Sequence, residues 1–311
     1  MKSISVVIPA YNEEDCVDEL LTRLTAIFDL EKDYQWKAIV VENGSEDNTF
    51  TKLLDFAKVD PRISVVKLSR NFRMDGGLTA GLEYVDSDAC VLMTADLQDP
   101  PELIPSFVRK WEEGYENVYG IVEERQGTNL LRRINSKLFY IFAGALSDHM
   151  IPKNASDFRL VDRKVYVTVR SMTERNRFVR GLFAWVGFKS VGVPMVRPPR
   201  FAGVSNAHSM KVLELALKGI MAHSNKPLRL ISSIGLLLSG IAFLSIIPFA
   251  WFWIVTGVPF AGFGTLVSLI IGGIGLQVLF LGIQSEYIGL VYEEVKGRPN
   301  FVVSEKINLP E

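Results

Sequence analysis

Sulfur chemistry has almost no place in this 311-residue chain. Its two cysteines, Cys16 and Cys90, exclude a disulfide-built fold and fit a reducing compartment. Excess charge of either sign is missing too. Thirty-four Lys and Arg stand against 35 Asp and Glu, a net of −1, so no global basic field points to nucleic acid. The opening MKSISVVIPAYNEE has too short an apolar run for a secretory signal. Two phosphate-binding signatures are absent. PAYNEE stands where a G-x-G-x-x-G would follow the first apolar run, and no G-x-x-x-x-G-K-[ST] occurs. The dinucleotide-binding and P-loop readings lose their support. There is no internal repeat and no low-complexity segment.

The most informative absence is local. From Leu230 to Ser285, 56 residues pass without one Asp, Glu, Lys or Arg. A membrane span needs about 20 apolar residues, so this run holds two, predicted near 230–254 and 263–286. Before it, Arg197, Arg200, Lys211, Lys218, Lys226 and Arg229 face one acid, Glu214, and Lys296 and Arg298 follow it. The positive-inside rule then places both flanks, both termini and the N-terminal domain in the cytoplasm. Basic amphipathic patterns at 130–146 and 210–221 suit interfacial helices. Small residues in IIGGIGLQVLFLGIQ (270–284) allow close helix packing, which points to a homo-oligomer. The expected organisation is a domain over 1–205, a juxtamembrane helix over 206–229, a two-helix hairpin over 230–286 and a cytoplasmic tail over 287–311.

What is present in the first 122 residues is alternation. Short β-branched runs at 4–10, 37–43, 63–69, 89–95 and 118–122 read as strands buried on both faces. Helical patterns at 15–28, 46–58, 76–84 and 101–113 lie between them. The class is α/β with a mostly parallel sheet. In such sheets ligands bind beyond the carboxyl ends of the strands. That rule selects 9–14, 42–47, 69–77 and 94–99, all four rich in polar residues.

In VVIPAYNEE, Pro9 kinks a strand end and lets Tyr11 to Glu14 face a ligand. In VVENGSEDNT, Glu42 closes the second strand as a hydrogen-bond acceptor for a base or ribose, and Ser45 is placed to cap the next helix. ADLQDPPE is the most specific stretch. A divalent ion on a nucleotide diphosphate needs a few hard oxygen ligands. Asp96 and Gln98, two apart on an extended segment, point the same way, and Pro100 and Pro101 start a helix. Arg125, Arg132, Arg133 and Lys137 are candidates to meet the diphosphate or a lipid headgroup.

PAYNEE, ENGSEDNT, ADLQDPPE, NASDFRLVDRK and RFAGVS, followed by paired apolar runs, resemble the polyprenyl-phosphate glycosyltransferases. These are family 2 glycosyltransferases of GT-A fold, related to dolichol-phosphate mannose synthase and the bactoprenol glucosyltransferases. The resemblance covers nearly the whole chain. It implies inverting transfer of a hexose, most simply glucose from UDP-glucose, to polyprenyl phosphate at a bacterial inner membrane, with Mg²⁺ or Mn²⁺. It places Pro9, Tyr11, Glu13, Glu42, Asp75, Ala95 and Asp96 around the nucleotide and Asp96 and Gln98 on the metal. Asp157 becomes the proposed base, and Arg200 and Ser205 meet the acceptor phosphate. Thr94 stands where the family often has the first Asp of Asp-x-Asp, and Glu42 replaces an Asp. A processive polysaccharide synthase would usually carry Q-x-x-R-W, which is absent. Two rival readings share the nucleotide motifs: sugar transfer to a diacylglycerol, and a non-catalytic scaffold that binds nucleotide sugars.

Overall fold

A computed structural model describes residues 1–123, 152, 154–198, 226–256 and 263–309. Arg125, Arg132, Arg133, Lys137, Arg200 and Ser205, and the expected interfacial helices, lie outside the described residues. Two compact units separate: the sheet with its helices, and a pair of long helices.

The elements of the first unit are β1 (Lys2–Ala10), α1 (Val17–Leu30), β2 (Tyr34–Glu42), α2 (Thr49–Val59), β3 (Ile63–Leu68), α3 (Arg73–Glu83) and β4 (Ala89–Leu92). There follow a 3₁₀ turn (Pro101–Leu103), α4 (Ile104–Glu112), β5 (Asn117–Val122), β6 (Ala155–Asp162), α5 (Arg163–Ser171), α6 (Val179–Trp185) and β7 (Ser190–Met195). The sheet has the order β7-β5-β6-β4-β1-β2-β3-β8, where β8 is Val303–Ile307. β1, β2, β3 and β4 are parallel neighbours, while β6 runs antiparallel to β4 and β5, and β8 antiparallel to β3. The predicted α/β class holds, with two reversed strands added.

The continuous apolar runs explain the core. Ile4 to Ala10 are all buried, as a strand covered on both faces requires. Ile4, Val6 and Ile8 pack with α1, α2 and α4, whereas Val7, Ile39 and Val41 pack with α3, α5 and α6. α3 lies flush on the sheet because of Gly81. A Cβ there would meet Val7 Cγ1 at 2.3 Å.

Five elements have no clear signal in the sequence. β6 carries Asp157 and Arg159 in its middle, which breaks the apolar pattern, and the two helices after it, α5 and α6, are short. β7 contains Pro194 and lies at the sheet edge, where proline is tolerated. The segment expected as a tail over 287–311 needs correcting. Its first part continues a helix to Lys296, and its second part is β8, the edge strand of the sheet, paired with β3. β8 has the sequence VSEKI, too short and too charged to read as a strand.

The second unit contains α7 (Lys226–Thr256) and α8 (Phe263–Lys296). Helix thus begins within the stretch assigned to a juxtamembrane element and extends past 286. Among the described residues one stretch, Gly272–Lys296, is long and apolar enough to cross a membrane.

Candidate active site

Each of the four stretches that follow the carboxyl ends of β1 to β4 contains one residue in the left-handed region, the third of them at the first residue of α3. These are Asn12 (φ 52°), Gly44 (φ 73°), Arg73 (φ 65°) and Leu97 (φ 58°). Three are not glycine, and such residues pay of order 1–2 kcal/mol for that conformation. Strain of this kind gathers at functional sites.

The first two loops brace each other. Asn12 N–H donates to Ser45 Oγ (3.1 Å), and Glu46 N–H donates to Asn12 Oδ1 (2.9 Å). Glu13 N–H donates to Thr49 Oγ1 (2.9 Å). Ser45 therefore links two loops and does not cap α2, whose N-cap is Asn48. Gly44 is required on two counts, its positive φ and the Arg70 carbonyl carbon 2.4 Å from where a Cβ would stand. Pro9 is buried beneath Gly77 of α3, and Tyr11 is exposed beside this loop pair.

Glu42 is 1% exposed. Its Oε1 accepts from Ser45 N–H, but buried Oε2 has no hydrogen-bond partner. A buried acceptor left empty costs about 1–3 kcal/mol. An N–H or O–H from a ligand would remove that cost.

The loop after β4 is not the extended segment expected. Strand pairing ends at Leu92, and 95–99 form turns and bends around left-handed Leu97. Asp96 Oδ1 accepts from Gln98 N–H at 3.2 Å. Thr94 Oγ1 lies 2.8 Å from Asp96 Oδ1 and 2.8 Å from Asp99 Oδ2, while Thr94 N–H donates to Asp99 at 3.1 Å. Thr94 thus joins two carboxylates, one of them at a position to which the sequence assigns no role. Asp99 is fully buried. Burial pushes its carboxyl up, against the opposing pull of Arg197 and Thr94. Ser156 Oγ reaches Asp99 Oδ1 at 3.4 Å, which links this loop to the residue before Asp157.

One hydroxyl proton faces two carboxylates here, and Arg197 Nη2, 3.6 Å from Asp99 Oδ1, offsets part of their negative charge. Gln98 Oε1 is a second hard oxygen two residues from Asp96, and its side chain makes no hydrogen bond among the described residues. No group of three or more His, Cys, Asp or Glu among the described residues could hold an ion alone. The donor set therefore fits an ion shared with phosphate oxygens rather than a protein-only cage.

Asp157 sits on β6 and is gripped by Arg180 of α6. Nε donates to Oδ1 at 2.7 Å and Nη2 to Oδ2. Burial raises the proton affinity of this carboxyl, but the Arg180 hydrogen bonds and the charges of Arg180, Arg159 and Arg197 outweigh it and hold the pKa below the ordinary value. The partner is neither of its sequence neighbours. Arg159 donates to backbone carbonyls of Asp157 and Ser156, and Arg163 pairs with Asp86. Arg180, 23 positions away, leaves no signal in the sequence.

Asp75, on the first turn of α3, accepts from Val179 N–H at 2.9 Å, so it anchors the start of α6. Burial pushes its pKa up to about 6. A raised carboxyl binds protons in the folded state that the unfolded chain releases, so stability falls as pH rises from about 4 to 6. Asp75→Asn keeps the acceptor and removes the buried charge. The variant is expected to gain up to about 3 kcal/mol at pH 7.5 and to match wild type below pH 4. Thermal melts at the two pH values check this.

The candidate site thus combines an acidic turn beyond β4, an empty buried acceptor at the end of β2 and a carboxylate on the reversed β6. The model of Glycosyl transferase family 2 matches residues 5–170, and the chain belongs to that family. It is similar to the uncharacterized glycosyltransferase YkcC of Bacillus subtilis (38% identity, 98% of this chain, 94% of the relative). It is also similar to the bactoprenol glucosyl transferase of Shigella phage SfII (34% identity, 97% of both chains). Among solved structures, mannosyl-3-phosphoglycerate synthase from Rubrobacter xylanophilus shows a TM-score of 0.49 at 16% identity, covering 75% of each chain.

Proposed function

We propose that the protein transfers a hexose, glucose from UDP-glucose, to polyprenyl phosphate at the cytoplasmic face of a membrane, with inversion and with Mg²⁺ or Mn²⁺. The observation that carries this reading is the continuous link from Asp96 through Thr94, Asp99 and Ser156 to Asp157, which ties a diphosphate-side turn to an acceptor-side strand. The bactoprenol-named relatives support the lipid acceptor. The uncharged run from Leu230 to Ser285 supports two spans, α7 and α8.

In this reading Glu42 Oε2 accepts from the base or ribose, and Pro9, Tyr11, Glu13 and Ala95 wall the nucleotide. Asp96 and Gln98 would hold the metal, which supplies electrostatic and Lewis-acid stabilisation to the departing diphosphate. The acceptor oxygen forms its bond to sugar C1 as the C1–O bond to the diphosphate breaks, and UDP leaves with the electron pair. The second pKa of a phosphate monoester is about 6, so at neutral pH the attacking oxygen carries no proton to remove. Asp157, held ionised by Arg180, then orients that guanidinium and need not act as a base.

The test is transfer of label from UDP-glucose into the lipid phase by the full chain in detergent with polyprenyl phosphate and Mg²⁺. Label from GDP-mannose or UDP-N-acetylglucosamine alone would overturn the donor. No lipid label from any of the three would overturn the reaction. Glu42→Gln presents an amide N–H₂ where an acceptor is needed. It is expected to raise the donor KM by about 10-fold or more and leave the acceptor KM unchanged in initial-rate kinetics. Thr94→Asp crowds a third carboxylate beside two others. Its melting temperature is expected to fall in EDTA and to recover with Mn²⁺ by more than the wild type gains. An equal Mn²⁺ response in both proteins would place the ion away from position 94.

A further inference from the structure

Asn43 follows Glu42 at the end of β2 and is buried, 3% exposed. Its backbone N–H donates to Ala10 O at 2.9 Å, which ties it to the end of β1. Both ends of its side-chain amide hold the start of α3. Oδ1 accepts from Phe72 N–H and Nδ2 donates to Arg73 O, each at 2.9 Å. Arg73 is the left-handed residue of that turn. A strained conformation persists only where its surroundings over-determine it, and Asn43 grips the backbone at and just before Arg73. Helix α3 comes this close because Gly77 has no Cβ. One there would stand 3.3 Å from Asn43 Nδ2 and 2.8 Å from Pro9 Cβ. In the same turn of α3, Asp75 accepts from Val179 N–H. Val179 begins α6, and the next residue, Arg180, donates to both oxygens of Asp157. One turn of α3 thus joins the loop beside Glu42 to the carboxylate on β6.

We infer that Asn43 and Asp75 are positioning residues for the transfer: Asn43 fixes the first turn of α3, and Asp75 passes that position through Val179 to Arg180 and Asp157. Resting on the transferase reading above, Asp75 acts on the Asp157 side of the reaction and does not touch the nucleotide, against the role that the resemblance implies for it. Asn43 has its partners 29 and 30 positions along the chain, and Asp75 has its own 104 away, so no local pattern assigns either residue this work.

The experiment combines initial-rate kinetics, with UDP-glucose and polyprenyl phosphate, and amide hydrogen exchange on the full chain in detergent. Wild type, Asp75→Ala, Asp75→Asn and Asn43→Asp are compared. Alanine leaves the Val179 N–H unmet, whereas asparagine keeps an acceptor oxygen for it. Asn43→Asp turns a carboxylate oxygen against the Arg73 carbonyl and loses that bond, which gives a second probe of the same turn if Asp75→Ala misfolds. Asp75→Ala and Asn43→Asp are expected to lower kcat by about 10-fold or more and to speed exchange across 179–185, with exchange across 2–10 in β1 unchanged. Asp75→Asn should recover most of both losses, and Asp75→Ala should keep the wild-type KM for UDP-glucose. A raised UDP-glucose KM in Asp75→Ala at wild-type kcat puts Asp75 on the nucleotide and overturns the assignment. Faster exchange across 179–185 at wild-type kcat makes the ties structural only and overturns it as well. Unchanged exchange there in a folded Asn43→Asp removes Asn43 from the chain of contacts. If wild type transfers no sugar yet exchange across 179–185 rises in both variants, the tie from α3 to Arg180 stands and the transferase reading falls.

Discussion

Asp157→Asn is expected to lower kcat by about 100-fold at every pH from about 5.5 to 9 while leaving the shape of the pH–rate profile intact. The size follows from geometry. Arg180 is held by both carboxylate oxygens, and an asparagine offers one oxygen and turns an N–H₂ against the other guanidinium N–H. Displacing a positioning group by about 1 Å costs on the order of 100-fold. The unchanged shape follows from charge. Asp157 has its pKa held below the ordinary carboxylate value by Arg180 and its neighbours, against burial. It is therefore ionised throughout the range and cannot contribute an inflection there. The rise in rate should instead follow the acceptor phosphate near pH 6, in wild type and variant alike. The stabilisation from the Asp157–Arg180 pair is present above the unfolded pKa and is lost only as pH falls through the depressed folded value, well below the assay range. If the inflection disappears in the variant and persists in wild type, Asp157 is a base and the orienting role is wrong.

Half of this site is readable in the sequence, and the other half is hidden for a physical reason. β1 to β4 are continuous apolar runs ending in polar loops, so their existence and their carboxyl ends can be predicted to within a few residues. Glu42 and Asp96 come with them because each sits at the end of such a run. The turn after β4 departs from expectation, since a left-handed Leu97 is not what leucine ordinarily signals. The other half depends on contacts distant in sequence. Asp99 finds Ser156 across 57 positions, Asp75 finds Val179 across 104, and Arg180 finds Asp157 across 23. No local period or motif announces such pairs. β6 is hidden twice, because it runs against its neighbours and because Asp157 and Arg159 interrupt its apolar run. Thr94 looks from the sequence like a lost carboxylate. In the fold its hydroxyl bonds two carboxylates, so the acidic character of the turn resides in Asp96 and Asp99 together.

Removal of residues 297–311 is expected to abolish the folded catalytic domain, even though none of the residues assigned to the nucleotide, metal or acceptor lies there. The segment supplies β8, whose Val303, Glu305, Lys306 and Ile307 pair with Leu68, Lys67, Val66 and Val65 of β3. Asn308 Nδ2 donates to the carbonyls of Ala57 and Ile63 at 2.8 Å each, its own carbonyl accepts from Ser64 Oγ, and Ser69 N–H donates to Val302 O. Phe301, Val303 and Leu309 pack on the core face shared with α3 and α5. Losing several hydrogen bonds and the burial of these apolar groups costs roughly 5 kcal/mol, against a total of about 5–15 kcal/mol for a typical domain. It also leaves β3 as a bare, apolar edge open to aggregation. Asn308→Ala should lose a smaller part, about 1–3 kcal/mol, and lower the melting temperature without unfolding the protein. Melting curves of the full chain, Asn308→Ala and the truncated chain in one detergent measure the series. A truncated chain that melts within about 2 °C of wild type, less than the shift expected from 1 kcal/mol, would mean that β8 adds nothing to the sheet. An aggregated truncation beside a folded, less stable Asn308→Ala would show that the strand after the long helices completes the fold on which Glu42, Asp75 and Asp96 depend.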